Sequence, residues 1–89
     1  MGICGTDIPI FDGVRAVPEG LIPGHEFAGV ITQVGLGVEG WADGDRVAVG
    51  LVKGCGRCYY CKIGQESMCE NILELGIHIH GAFTTCMAM

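Results

Sequence analysis

Basic side chains are scarce: lysine and arginine together number five against ten acids, giving a formal net charge of −5 over 89 residues. That balance leaves no basic patch to follow a phosphate backbone, which excludes nucleic acid as a partner. Long apolar runs are missing too. None approaches the roughly 18 residues of a spanning helix, which excludes a membrane role. No basic stretch and apolar core follow Met1, so no export signal is seen and a reducing cytoplasm is the expected compartment. Helical periodicity is hard to find. Glycine, by contrast, is abundant at 16 residues, and hydrophobic residues make up 49% of the chain. That mixture is expected of tight turns between short apolar strands, so the fold class is read as mainly β in one small domain. A domain of this size buries a modest share of its surface and often depends on a metal or a disulfide.

Four of the six cysteines crowd into KGCGRCYYCKIGQESMC, at Cys55, Cys58, Cys61 and Cys69. Two disulfides or a metal cage are the competing readings. Neighbours at Cys-x2-Cys spacing would strain a direct bridge, and a reducing compartment disfavours one. Four thiolates suit zinc, which takes soft ligands in a tetrahedron with Zn–S near ~2.3 Å. The cage would be closed, with no open position, and therefore structural. Gly54, Gly56 and Gly64 fall where the loop must bend. The expected lobe covers about residues 53–70.

The segment EFAGVITQV, residues 26–34, is rich in β-branched residues and bounded by Gly24 and Gly35, so it reads as a strand. RVAVGLV, residues 46–52, reads as a second, entered through the Asp43-Gly44-Asp45 turn. AFTTCMAM, residues 82–89, is a candidate third strand. Ile8 to Phe11 reads as a short extended piece before the Asp12-Gly13 turn. Helix is expected only as a turn or so within Tyr59 to Glu66. Cys86 reads as a small buried apolar residue. His78 and His80 alternate at strand period toward one face and read as ordinary edge residues.

Gly35-Leu36-Gly37-Val38-Glu39-Gly40 matches G-x-G-x-x-G. A dinucleotide fingerprint needs a helix next and an acid about 20 residues on. A turn-like Trp41-Ala42-Asp43-Gly44-Asp45 follows instead, and the cysteine loop stands where the acid should be. The stretch is read as a glycine-rich turn.

Cys4, His25 and Glu26 offer one thiolate, one imidazole and one carboxylate. Taken alone they could be scattered, with Cys4 a packing residue and His25 a hydrogen-bonded one. The order GICGTD, GHEFAGVITQVGLGV, GDRVAV and the four-cysteine loop is similar to that of zinc-dependent alcohol dehydrogenases of the medium-chain dehydrogenase/reductase superfamily. The pattern G-H-E-x-x-G-x5-G-x2-V falls on Gly24, His25, Glu26, Gly29, Gly35 and Val38. The resemblance runs from Ile3 to about Phe83.

It implies a GroES-like, partly open β-barrel, incomplete here. It implies that Cys4 and His25 bind a catalytic zinc, with Glu26 near enough to enter the coordination shell. Thr6 would touch the substrate oxygen and take its proton, and Asp7 would hydrogen-bond His25; the plainer reading of this pair is a Thr-Asp turn. Cys55, Cys58, Cys61 and Cys69 would bind a structural zinc. The implied activity is hydride transfer between an alcohol or polyol, or the matching carbonyl, and NAD or NADP. The cofactor would sit on a Rossmann domain absent from these 89 residues, and the intact enzyme would be a homo-oligomer. The family's third zinc ligand and its first strands are likewise expected outside this segment, so the isolated chain should be inactive. Pro9 stands where many relatives carry a proton-relaying histidine, so a relay would pass from Thr6 to water or the cofactor ribose. A different class also accommodates these residues: a stand-alone zinc-binding GroES-like module in which the Cys4–His25 pair is a relic.

Overall fold

The β-branched run after His25 finds its partner across a turn. In the computed structural model, which describes residues 1–89, β1 (Phe27–Val30) pairs antiparallel with β2 (Arg46–Val49). Phe27 stands opposite Val49 and Val30 opposite Arg46. The pairing runs one step further, because the Ile31 amide donates to the Asp45 carbonyl at 2.9 Å and Gly44 donates back to Ile31 at 2.8 Å. Asp45 also closes the turn, its Oδ2 accepting from the Ala42 amide at 2.8 Å. The strand expected over residues 26–34 is therefore shorter, and its last residues belong to the turn. No helix follows Gly40, in keeping with the turn reading of the glycine motif.

The second expected strand divides. Exposed Gly50 ends β2, and the chain resumes as β3 (Val52–Lys53), which pairs with β4 (Leu73–Glu74) in a separate sheet. Glycine weakens a strand interior, and here it lets the chain change partners. Between β3 and β4 lies the cysteine loop. It carries one turn of α-helix, α2 (Tyr59–Lys62), and a 3-10 turn at Glu66–Met68, much as the sequence suggests. The two sheets do not close into a barrel.

Four expectations fail. Ile8 to Phe11 is helical, within α1 (Asp7–Phe11). Pro9 lies in the first turn, where no intrahelical partner is needed for its missing N–H, so it permits the helix rather than breaking it. Residues 82–89 form no strand. Their first donors are spent elsewhere: the amides of Gly81, Ala82 and Phe83 reach the carbonyls of Ile22, Gly24 and Pro23 at 2.6, 2.9 and 3.0 Å. Cys86 is exposed rather than buried. His78 and His80 do not share a strand face either. His78 caps its own turn by accepting the Glu74 amide at 3.1 Å, whereas His80 accepts the Ile22 amide at 3.2 Å.

Nine of the 89 residues are buried, and the apolar core comes down to Cys69, Leu75, Ile77 and Ala82. So little apolar burial cannot by itself hold a loop-rich chain, which puts the weight on backbone bonds and on the cysteine loop. No helix is long and apolar enough to cross a membrane.

Candidate metal centres

The cysteine loop turns all four thiols to one point. The sulfurs of Cys55, Cys58, Cys61 and Cys69 lie within 4.8 Å of one another. Cys58 Sγ and Cys69 Sγ are 3.9 Å apart. A tetrahedron with Zn–S of ~2.3 Å has an edge of about 3.8 Å, so the spacing fits zinc. It is nearly twice the ~2.05 Å of a disulfide, and all the cysteines are free. Gly56 and Gly64 make the bends with φ of +73° and +77°. Gly54 serves differently: a Cβ there would lie 2.8 Å from Cys61 Sγ, so its role is space, not backbone freedom.

Backbone amides surround the sulfurs. The Cys55 amide donates to Cys69 Sγ at 3.3 Å, the Asn71 amide to the same sulfur at 3.3 Å, and the Cys58 amide to Cys55 Sγ at 3.4 Å. Such donors favour the thiolate that a metal needs. The amides of Arg57 and then Cys58 lower the Cys55 pKa from 9.0 to about 6. The Cys58 thiol is lowered as well, chiefly by the Cys61 amide. Burial pushes Cys61 the other way, up to about 12. In metal-stripped protein the Cys55 contribution to stability is therefore complete above the ordinary thiol value and lost as pH falls through about 6. The Cys61 contribution has the opposite sign: it is present below the ordinary value and lost as pH climbs toward about 12. After chelation at pH 7, iodoacetamide is expected to label Cys55 well before Cys61. Peptide mass mapping at short times checks this, and equal rates would contradict it.

The second cluster joins two distant segments. Gly2 bridges to Glu26, its amide donating to the Glu26 carbonyl at 2.7 Å, and this brings Cys4 beside His25. The ligand atoms of Cys4, His25 and Glu26 all lie within 4.8 Å of one another. His25 and Asp7 are buried, at 5% and 7% exposure, while Glu26 is exposed. The Asp7 carboxylate touches both ligand segments. Its Oδ2 accepts from the Cys4 amide at 2.8 Å, and its Oδ1 sits 3.5 Å from His25 Nδ1. Those two facing atoms, Oδ1 and Nδ1, are buried without a hydrogen-bond partner. A carboxylate on one ring nitrogen fixes the tautomer and leaves the other free to ligate. That other nitrogen, Nε2, has the Thr6 hydroxyl 3.2 Å away. The orphaned pair and the soft–borderline–hard donor set fit a zinc ion with an open side.

All nine site residues proposed from sequence thus fall into two groups, a closed four-sulfur cage and an open Cys–His–carboxylate set with Thr6 and Asp7 around it. Sequence reasoning missed the contacts of the segment just before His25: the Gly24 backbone meets those of Gly76 and Gly81, and the Ile22 amide donates to His80. The glycines gave no signal beyond their abundance.

Two clusters of potential metal ligands sit on a small frame of antiparallel strands, an arrangement in keeping with a GroES-like domain. A profile described as the Alcohol dehydrogenase GroES-like domain matches residues 1–89, and the chain belongs to that family of zinc-dependent alcohol dehydrogenases. It is 45% identical over 84 residues to the starvation-sensing protein RspB of Escherichia coli K12, covering 93% of this chain and 25% of that protein. It is similar to galactitol-1-phosphate dehydrogenase from Escherichia coli, with a TM-score of 0.86 at 35% identity over 93% of this chain and 24% of that one. A cobalt- and zinc-bound thermostable alcohol dehydrogenase from Pyrobaculum aerophilum gives a TM-score of 0.81 at 37% identity, over 90% of this chain and 25% of that one. The chain spans about a quarter of the length of these relatives.

Proposed function

We propose that the chain is the part of a zinc-dependent oxidoreductase that holds the reacting oxygen, in an enzyme that transfers hydride between an alcohol or polyol and NAD(P). The observation that carries this is the open Cys4–His25–Glu26 set, backed by buried Asp7, beside a separate closed cage. When bound there, zinc supplies a Lewis acid that polarises an alcohol or carbonyl oxygen.

Cys4 and His25 hold the ion, and Glu26, exposed at the rim, is placed to enter or leave the shell. Asp7 fixes both ligands through the Cys4 amide and the His25 ring. The Thr6 hydroxyl, beside His25 Nε2, accepts the substrate hydroxyl's proton and releases its own. Pro9 offers no relay, so that proton goes to water or to the cofactor ribose. The nicotinamide is bound outside these 89 residues, where a further zinc ligand also resides. Cys55, Cys58, Cys61 and Cys69 hold a structural zinc in a lobe of about residues 53–70. We place the intact protein in the cytoplasm as a homo-oligomer acting on a small molecule, with neither nucleic acid nor membrane as partner.

The test is His25→Ala in the intact protein. Losing several kcal/mol of Lewis-acid stabilisation corresponds to about a thousandfold drop in NAD(P)-dependent turnover. Leaving Asp7 unpaired costs about 1–3 kcal/mol of stability, but the cysteine lobe stays folded. Undiminished turnover would refute the assignment. Cobalt substitution gives a second readout: an all-thiolate spectrum without a mixed Cys/His centre would favour a purely structural zinc module.

A further inference from the structure

His25 owes its position to the three residues before it. Ile22, Pro23 and Gly24 form a strap whose carbonyls are all taken, accepting from Gly81, Phe83 and Ala82 at 2.6, 3.0 and 2.9 Å. These bonds run in one direction and would form with any side chains that fit. The strap's own donors are fewer, since Pro23 has no N–H. The Ile22 amide finds its acceptor in a side chain, His80 Nδ1, at 3.2 Å and 58 residues away in sequence. His80 and Gly81 thus grip both polar groups of Ile22. An acceptor at Nδ1 requires that nitrogen to be unprotonated, with the proton of the neutral ring on Nε2.

We propose that His80 is a positioning residue for the Cys4–His25 metal centre, fixing the strap that presents the His25 ring through the Ile22 amide. This rests on reading Cys4 and His25 as zinc ligands. His80 touches neither ligand, and its ring is exposed, so the surface can absorb a change there without a packing defect. Its effect passes through three strap residues. Slack in them lets His25 drift relative to Asp7 and Cys4, whose own geometry is set by the Asp7 carboxylate. Losing one neutral hydrogen bond of this kind corresponds to a threefold to tenfold change in an equilibrium constant. His80→Leu removes the acceptor. His80→Asn restores one, because an asparagine Oδ1 falls close to the position of a histidine Nδ1.

The experiment titrates the intact, metal-stripped protein with cobalt(II), following the four-thiolate and mixed Cys/His bands separately. Amide exchange at Ile22 is read on the same samples. His80→Leu is expected to weaken the mixed centre about threefold to tenfold and shift its bands, speed Ile22 exchange, and leave the four-thiolate titration unchanged. His80→Asn is expected to restore all three readouts. Unchanged Ile22 exchange in His80→Leu would overturn the proposal, as would parallel weakening of both centres or failure of asparagine to rescue. If the wild type itself takes up cobalt only in the thiolate cage while Ile22 exchange still responds to His80, the zinc reading of Cys4 and His25 falls, and this proposal with it.

Discussion

Cys58→Ser is expected to unfold the segment between Gly54 and Glu70 while the β1–β2 ladder survives. Apart from Cys69 no residue of that segment is buried, so little but a bound metal would hold it. Its internal backbone bonds are few and local: Lys62 to Cys58 at 3.1 Å, Ile63 to Tyr59 at 3.2 Å, Gly64 to Cys61 at 3.2 Å, Gln65 to Tyr60 at 2.8 Å, Met68 to Gln65 at 3.0 Å and Cys69 to Glu66 at 3.0 Å. One α-helical turn is far below the length at which a helix persists unaided. Structural zinc contributes ~10–16 kcal/mol of binding free energy in small zinc domains, and that energy is folding energy. Replacing one of four thiolates with a hydroxyl removes a large share of it. Backbone exchange at Ile63, Gln65 and Cys69 should become fast, as it should on chelation of the wild type, while Gly29 and Val47, paired in the ladder, stay protected. If chelated, mutant and untreated proteins protect those amides equally, the cage is not what stabilises the loop.

Gly81→Ala should cost about 3 kcal/mol or more, an effect in the tail of the distribution for single substitutions. A Cβ at residue 81 would run into the Gly24 carbonyl oxygen, and it would lie 2.7 Å from the Pro23 oxygen and 2.8 Å from Gly76 Cα. These are backbone atoms from two segments, and none can swing aside as a side chain does. The strap must open, giving up the 2.6 Å bond to Ile22 and its neighbours. Gly29→Ala is the control. Nothing lies within 4 Å of a Cβ there and its φ is not positive, so that variant should be neutral or slightly more stable. Melting curves of the two variants decide the matter; matched midpoints would mean the glycine contacts relax at no cost.

What the sequence makes legible follows from how local each cause is. Ligand spacing is local, so the cage can be read at once from Cys55, Cys58, Cys61 and Cys69. β-branched runs and the Asp43-Gly44-Asp45 turn are local too, and β1 and β2 follow from them. Cys4, His25 and Glu26 are brought together by the Gly2–Glu26 bridge and the Asp7 carboxylate, which no spacing rule contains; resemblance to a family pattern supplied that grouping. The misread pieces are those where remote partners decide. Residues 82–89 have strand-like composition, but their leading amides are drawn to Ile22, Pro23 and Gly24. Ile8 to Phe11 looks extended because of its β-branched residues and proline, yet the Asp7 and Asp12 amides close turns onto Cys4 and Ile8 at 3.0 and 2.9 Å. Cys86 shows the same limit: hydropathy favours burial, and nothing in the fold comes to cover it.

The clasp between His80 and Ile22 also sets a timetable for a chain made from its N-terminus. The thiolate contacts close over 14 positions, whereas the clasp spans 58. Loop-closure entropy makes the longer ring about 1.3 kcal/mol harder to shut. More decisively, the first can shut once Cys69 has left the ribosome, while Gly81 to Phe83 are still held in its exit tunnel. If the four thiolates take a metal, the nascent protein can thus fill that cluster before the strap ahead of His25 is clasped, and metal supply would be felt first at the cysteine loop.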